Sequence, residues 1–166
     1  YFFSTGIQFL IRKADEKKLD LSGNLQGINI GLIAKTTAQK LIEERYPSVN
    51  VKQFVGLTGR TRGVQALKQD PQDTQNREDY IDGFVSDGIL LSSELALQGL
   101  STENYSLIPE QPLTCDRYGM ILPQNDSQWQ TLVNSVIGSP EAQKLWEKWF
   151  DRIFTYPKVD EKLCNK

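Results

Sequence analysis

Three turns of the sequence contain residue types that can bind an ionic ligand. Residues 34–37 (Ala-Lys-Thr-Thr) place an ammonium group and two hydroxyl groups just after a short apolar run. Residues 58–62 (Thr-Gly-Arg-Thr-Arg) add two guanidinium groups, and Asp87 ends a third apolar run. Helix N-termini, hydroxyl groups and Arg bind carboxylates or phosphates, and a carboxylate accepts charge-assisted hydrogen bonds from an ammonium group. The first two turns therefore suit an anion and the third suits an amine.

Each of these turns also has a purely structural interpretation. Thr36 or Thr37 can cap a helix while Lys35 stays in solvent, and the two arginines can lie exposed at a helix start. Cations at a helix N-terminus oppose the helix dipole, so the arginines require some other reason for their position. Asp87 can cap the helix that follows it, and this role is compatible with binding an amine.

The composition excludes several other chemistries. The chain of 166 residues has no histidine, which excludes Ser-His-Asp and Cys-His nucleophile systems and zinc sites held by His. Two cysteines cannot form a four-thiolate metal site, although they can form one disulfide or stay reduced. The net charge of −2 lacks the basic excess of a nucleic-acid-binding protein, and no apolar run is long enough to span a membrane. We expect no catalytic residue, metal or cofactor.

Strands that alternate with helices are predicted to position the three turns. This alternation is typical of an α/β fold with a mainly parallel sheet flanked by helices. In such sheets ligands bind beyond the carboxyl ends of the strands, where all three turns fall. Two amphipathic helices are predicted to close the chain, over residues 127–137 and 140–153. The predicted strands cover residues 6–13, 28–33, 49–55, 80–87, 105–108 and 117–123, and the other main helices cover residues 35–46, 61–68 and 88–98.

The order of several short motifs resembles a known family over nearly the whole chain. The motifs are Thr5-Gly6 with Leu10 and Lys13, the segment from Leu25 to Ile30, Lys35-Thr36-Thr37, the segment from Asp82 to Asp87, Tyr118-Gly119, Asn125-Asp126, and the segment from Trp146 to Phe150. In this order they resemble the extracellular solute-binding proteins of family 3, most closely the glutamate/aspartate-binding type, which have the type II periplasmic-binding-protein fold.

The resemblance implies that two lobes close on an amino acid, which is acidic or polar, without changing it chemically. It implies that the backbone and hydroxyl groups of Thr36 and Thr37 hold a ligand carboxylate. Asp87 would accept hydrogen bonds from the α-ammonium group, and Arg60 would bind an acidic side chain. Lys35 stands where the family usually has Gly, so it could add positive charge to the site.

The resemblance also assigns parts of the chain to the two lobes. Residues 1–5 would form the first hinge crossing, residues 6–113 the second ligand-binding lobe, and residues 114–166 the second crossing with C-terminal helices that return to lobe one. Most of lobe one and the signal peptide would precede Tyr1. The apolar stripes of the C-terminal helices would then pack back on lobe two, swap with a second copy of the chain in a dimer, or pair with a separately supplied lobe.

Cys115 and Cys164 stand where glutamate-receptor ligand-binding domains join the hinge to the C-terminal segment. The resemblance therefore implies a disulfide between them, which would fit a periplasmic or extracellular location. The implied partners are an amino acid and an ABC transporter permease.

Two other functions fit the same fold. The first is the ligand-binding module of a glutamate-receptor-like channel or a receptor kinase. The second is a dehydratase or lytic enzyme, which is disfavoured because Asp82 and Asp87 do not form an acid–base pair and Glu94 is an isolated carboxylate.

Overall fold

The helices and strands follow the predicted order. The computed structural model describes residues 3–69 and 80–150 together with Val159, Lys162 and Cys164. A 3-10 helix covers Lys13–Lys18. The strands are β1 (Phe3–Thr5), β2 (Ile7–Arg12), β3 (Asn29–Ile33), β4 (Asn50–Phe54), β5 (Gly83–Asp87), β6 (Tyr105–Ile108) and β7 (Asp116–Tyr118). The helices are α1 (Thr37–Arg45), α2 (Gly59–Leu67), α3 (Gly88–Leu97), α4 (Ser127–Ile137) and α5 (Pro140–Phe150).

Five of the described strands form a mixed sheet in the order β4-β3-β5-β2-β6. Both neighbours of β3 are parallel to it, and β2 is antiparallel to β5 and to β6. Four of these five strands therefore run in one direction and β2 opposes them, which confirms the α/β class with a sheet flanked by helices. The register pairs Ile7 with Asp87, so the start of β2 lies beside the end of β5. Because β3, β4 and β5 are parallel neighbours, their carboxyl ends share one edge of the sheet.

Side-chain alternation along the strands builds an apolar core on each face of the sheet. Ile7, Phe9 and Ile11 lie on the face that α1 covers, as their spacing predicts, and Ile42 of α1 is completely buried among them. Leu10 points to the other face and packs in a cluster with residues of α2 and α3. This α/β/α layering holds the N-termini of α1, α2 and α3 at the carboxyl edge of the sheet.

A close approach between α2 and the sheet fixes the position of Arg60. A Cβ atom added to Gly63 would lie 2.1 Å from the ring of Phe84 in β5, so only glycine permits this contact without displacement. Val64 and Leu67 of α2 are buried against the sheet, as predicted. Arg60 belongs to the first turn of α2 and is therefore held at the carboxyl edge.

β1 and β7 form a separate two-stranded antiparallel ribbon, which we call the β1–β7 ribbon. Its register pairs Phe3 with Tyr118 and Thr5 with Asp116. The predicted strand over residues 117–123 is confirmed only at its start, because the ribbon ends at Tyr118 and residues 119–123 have no regular structure. A disulfide joins Cys115 to Cys164, with 5.0 Å between their Cα atoms, as the resemblance implies.

The two C-terminal helices contact each other and leave apolar side chains in solvent. No residue of α4 is buried, and Trp129, Leu132 and Val136 are 45%, 52% and 58% exposed. The expectation that this stripe packs back on lobe two is therefore wrong for α4. Residues 151–153 of the predicted last helix lie outside the described residues. Within the described part of the chain, every helix is too short or too polar to cross a bilayer.

Candidate functional site

The Asp87 side chain accepts three hydrogen bonds at the carboxyl edge of the sheet. One carboxylate oxygen, Oδ1, accepts hydrogen bonds from the Thr5 hydroxyl (2.6 Å) and from the Ile89 backbone N–H (3.1 Å). The other oxygen, Oδ2, accepts one longer bond from the Tyr118 hydroxyl (3.2 Å). The bond from Ile89 makes Asp87 the N-cap of α3, so the structural interpretation is correct. A carboxylate oxygen can accept two hydrogen bonds, so Oδ2 retains acceptor capacity.

Burial and neighbouring charge control the ionisation of Asp87. Burial raises the pKa of its carboxyl group above the usual 3.8, and the negative charge of Asp116 acts in the same direction. Hydrogen bonds from Thr5, Ile89 and Tyr118 oppose this rise because they stabilise the ionised form. A partly buried carboxylate that is costly to ionise gains from a cationic partner. The environment of Asp87 therefore favours an ammonium group.

Tyr118 links Asp87 to the ribbon and to α2. Burial and the adjacent Asp87 carboxylate raise the pKa of its phenol to about 12, while the positive charge of Arg60 lowers it. The phenol is therefore protonated at neutral pH and donates its hydrogen to Asp87. The positive charge of Arg60 thus acts on the ionisation of the Tyr118 phenol. Asp116, two residues before Tyr118 in β7, accepts a hydrogen bond from the Thr114 hydroxyl (2.8 Å).

Arg60 is half-buried at the start of α2. Its Nε atom is buried and has no hydrogen-bond partner among the described residues. Its neighbour Arg62 differs, because that guanidinium donates to the Val55 carbonyl (2.7 Å) and lies in solvent. A buried guanidinium nitrogen without an acceptor is costly, and an anion would satisfy it. The two arginines of this turn therefore have different environments.

The turn after β3 adopts the capped conformation that its sequence predicts. Thr36 is the N-cap of α1 and accepts a hydrogen bond from the Gln39 N–H (3.3 Å), and its hydroxyl donates to the Ile33 carbonyl (2.8 Å). Lys35, Thr36 and Thr37 are all exposed. Lys35 has a φ of 62°, a left-handed conformation that favours glycine. The Lys therefore occupies a backbone position typical of Gly, with its ammonium group in solvent.

The structure connects some of the predicted site residues and leaves others apart. A hydrogen bond joins Tyr118 to Asp87, and the positive charge of Arg60 lowers the pKa of the Tyr118 phenol. Among the described residues, no hydrogen bond or ion pair joins Lys35, Thr36 or Thr37 to these three residues. They share only the sheet edge, since continuing the parallel register of β3 and β5 brings Ala34 level with Asp87.

Two ribbon residues belong to the site although the sequence alone did not assign them. Thr5 is completely buried and donates the shortest hydrogen bond to Asp87. Tyr118 was singled out only as part of a Tyr-Gly motif. The available signal was the position of Thr5-Gly6 and Tyr118-Gly119 at the two predicted crossings.

The other carboxylates named in the sequence lie elsewhere. Asp82 precedes β5 at the opposite sheet edge, and its Oδ2 accepts from the Asn29 N–H (2.8 Å) while Oδ1 accepts from Lys18 and from Tyr80 (2.9 Å). Glu94 is buried between α2 and α3 and accepts from the Thr61 hydroxyl (3.1 Å). Neither carboxylate shares a hydrogen-bond partner with Asp87 among the described residues.

We compared the chain with known proteins. No protein-family model matches the chain. The glutamate/aspartate import solute-binding protein of Salmonella typhimurium is 25% identical over 157 residues, which cover 93% of this chain and 47% of that protein. The chain thus spans about half the length of this relative.

Solved structures show the same fold. An ancestral cationic amino acid solute-binding protein matches with a TM-score of 0.70 and 15% identity, over 93% of this chain and 60% of that one. The GluR0 ligand-binding core from Nostoc punctiforme, in complex with L-glutamate, matches with a TM-score of 0.58 and 23% identity, over 90% of this chain and 63% of that one. The chain therefore has a periplasmic-binding-protein-like α/β fold and is homologous to a solute-binding protein.

Proposed function

We propose that this chain supplies one lobe of an extracytoplasmic protein that captures an amino acid by closure of two lobes and delivers it to an ABC importer. The observation that carries the proposal is the Asp87 carboxylate, which is partly buried at the carboxyl edge of the sheet and retains acceptor capacity on Oδ2. An α-ammonium group would occupy this position and form charge-assisted hydrogen bonds.

The anionic end of the ligand would bind at the helix N-termini of the same edge. The first turn of α1, at Thr36 and Thr37, offers backbone N–H groups and a partial positive charge. Arg60 adds a guanidinium group whose buried Nε has no described partner. The Asp87 carboxylate would thus face the ligand ammonium group, while the helix N-terminus and Arg60 would face its acidic groups. This arrangement supports an amino acid with an acidic or polar side chain as the ligand.

The ribbon and the disulfide support the rest of the proposal. The two short strands of the β1–β7 ribbon, near residues 1–5 and 114–118, are the segments proposed to cross between lobes. Residues 6–113 would form the lobe described here, and α4 and α5 would return to lobe one. A disulfide between Cys115 and Cys164 fits an oxidising compartment, either periplasmic or extracellular.

A ligand-binding module of a channel or receptor is the second candidate function. The GluR0 core is a structural neighbour, and Cys115 and Cys164 match the disulfide position implied by receptor domains. Both candidates use the same amine site, so they differ in partner and not in ligand chemistry. Co-purification with an ABC permease would support the importer and weigh against the receptor.

Calorimetry on the two-lobed protein that contains this chain tests the proposed binding. The ligands are L-glutamate, L-aspartate, L-glutamine and L-lysine at pH 7. Asp87→Asn should weaken binding about 10- to 100-fold, since a hydrogen bond to a charged group contributes about 1.5–3 kcal/mol. Arg60→Gln should weaken binding of the two acidic amino acids more than that of L-glutamine.

Arg45→Gln is the matched control for Arg60→Gln. It removes the same charge from the exposed C-terminal end of α1, which lies at the opposite edge of the sheet. Its affinities should equal those of the wild type. Absence of binding by all four amino acids, or unchanged affinity in the Asp87→Asn chain, would contradict the proposed function.

A further inference from the structure

We propose that the Tyr118 hydroxyl, together with that of Thr5, positions the Asp87 carboxylate for the ligand amine and couples occupation of this site to the β1–β7 ribbon. The inference rests on the proposed function, because it assigns a positioning role at the same site. It concerns which groups hold the Asp87 carboxylate in place and how ligand binding would change the contacts of the two ribbon strands.

The ribbon presents both donors from one face. In an antiparallel pair, residues directly opposite each other share a face, and so do residues two apart in one strand. Thr5 lies opposite Asp116, and Tyr118 follows Asp116 by two residues, so these three side chains share one face. Two of them donate to Asp87, one to each carboxylate oxygen. One strand of the ribbon therefore holds each oxygen.

The two hydrogen bonds have different lengths and different consequences. Thr5 donates at 2.6 Å to Oδ1, which also accepts from Ile89, so this oxygen has its two acceptor positions filled. Tyr118 donates at 3.2 Å to Oδ2, the oxygen with remaining capacity. A ligand ammonium group would therefore share Oδ2 with Tyr118. Binding would change the Tyr118 bond directly while leaving the Thr5 bond as an anchor.

The effect of the Tyr118 hydrogen bond can be measured through the pKa of the Asp87 carboxyl group. The groups facing the carboxylate are Thr5, Tyr118 and the Ile89 N–H as donors and Asp116 as a like charge, with Arg60 acting on Tyr118. Removing the Tyr118 hydroxyl removes one donor that stabilises the ionised form. The pKa of the Asp87 carboxyl group would then be higher. As the solution is acidified, the affinity for the ligand amine would therefore begin to fall at a higher pH than in the wild type.

The experiment combines Tyr118→Phe with Asp87→Asn in a double-mutant cycle on the two-lobed protein that contains this chain, with L-glutamate as the probe. Tyr118→Phe keeps the ring and removes only the hydroxyl. It should weaken L-glutamate binding about 2- to 10-fold at pH 7 and change binding less than 2-fold in the Asp87→Asn background, given the usual value of one hydrogen bond. Carboxyl-carbon NMR of the ligand-free chain should show Asp87 titrating at higher pH in the Tyr118→Phe variant.

Two further variants separate positioning from a general loss of structure. Thr5→Val removes the other hydroxyl while keeping the shape, and should also raise the titration pH of Asp87. Thr5→Ser restores the hydroxyl and should restore the wild-type titration. Tyr105→Phe, in β6 at the opposite edge of the sheet, is the matched control and should leave both measurements unchanged. If Tyr118→Phe fails to fold, the Thr5 pair alone decides the question.

The outcomes distinguish this inference from the proposed function. A wild-type two-lobed protein that binds none of the four amino acids overturns the proposed function and this inference with it. A chain that binds, but in which Tyr118→Phe leaves the affinity and the Asp87 titration unchanged, overturns the inference alone. Equal losses from Tyr118→Phe in the wild-type and Asp87→Asn backgrounds also overturn it, because the two side chains would then act independently.

Discussion

Asp82 and Asp87 flank the same strand, β5, and their carboxyl groups have pKa values displaced in opposite directions. Burial acts to raise the pKa of both groups. At Asp82, hydrogen bonds from Asn29, Lys18 and Tyr80 outweigh burial and lower the pKa. At Asp87, the opposing hydrogen bonds do not outweigh it. The carboxylate at the amino end of β5 is therefore fully compensated within the chain, whereas the one at the carboxyl end is suited to an external cation.

Asp82→Asn should destabilise the chain by about 2–3 kcal/mol at pH 7, because a buried charged acceptor loses its charge beside Lys18. A lowered folded-state pKa stabilises the fold above the unfolded value of 3.8, and this contribution disappears as pH falls through the folded value. The difference in the free energy of unfolding between the variant and the wild type should therefore decrease below pH 3.8. Urea unfolding at pH 7 and pH 3 measures this difference, and Glu103→Gln at an exposed position serves as the control. Equal losses at both pH values would contradict the expectation.

Asp87→Asn should have the opposite effect on the ligand-free chain. A raised folded-state pKa means that the fold loses stability as pH rises from 3.8 through the folded value. An amide avoids this cost and still caps α3, because Asn is as good an N-cap as Asp. The variant should therefore unfold at a higher urea concentration than the wild type at pH 7, by about 1.4 kcal/mol for each unit of pKa difference, and match it near pH 3. Lower stability of the variant at pH 7 would contradict this account.

The sequence was informative where a signal is local and periodic. The alternation of Ile7, Phe9 and Ile11 predicted one buried face of β2, and the position of Asp87 between a strand and a helix predicted both its edge location and its cap. Strands of three residues carry no such period, so the pairing of β1 with β7 could not be predicted from either segment alone. The hydrogen bond from Tyr118 to Asp87 depends on that pairing and on contacts between residues far apart in the chain.

The backbone conformation at Lys35 is a second feature that could not be predicted from the sequence. Lys35 was recognised as a departure from a family pattern, but only the structure shows that its φ is positive. The exposed side chain is compatible with this conformation because it needs no fixed packing. The sheet edge thus keeps a glycine-like turn while carrying an ammonium group.

Lys35→Gly should stabilise the chain by about 0.5–1 kcal/mol, because a left-handed residue with a Cβ costs about 1–2 kcal/mol and part of the gain is lost to the greater freedom of unfolded Gly. Lys40→Gly is the matched control, since Lys40 is exposed inside α1 and the same change there should cost about 1 kcal/mol. Thermal unfolding of both variants measures these opposite signs. Destabilisation by Lys35→Gly would show that the Lys side chain stabilises the turn.

Reduction of the disulfide should lower the free energy of unfolding by about 4 kcal/mol in the chain-entropy model, because the bond closes a loop across 49 residues. Urea unfolding with and without dithiothreitol measures the loss. The double variant Cys115→Ser with Cys164→Ser should unfold like the reduced wild type and should not respond to the reductant. Mass analysis of the oxidised chain should show two hydrogens fewer than the reduced chain. Equal stability of oxidised and reduced chains would contradict this role.

Leu132→Gln combined with Val136→Gln should leave the free energy of unfolding within about 0.5 kcal/mol of the wild type, because both side chains are more than half exposed on α4. If the apolar stripe instead mediates association between copies of the chain, the same substitutions should reduce the sedimentation coefficient of concentrated samples. Ser135→Gln, also on the exposed surface of α4, is the control for added volume and should change neither measurement. A loss of more than 1 kcal/mol in the monomer would show that the stripe is packed against the rest of the chain.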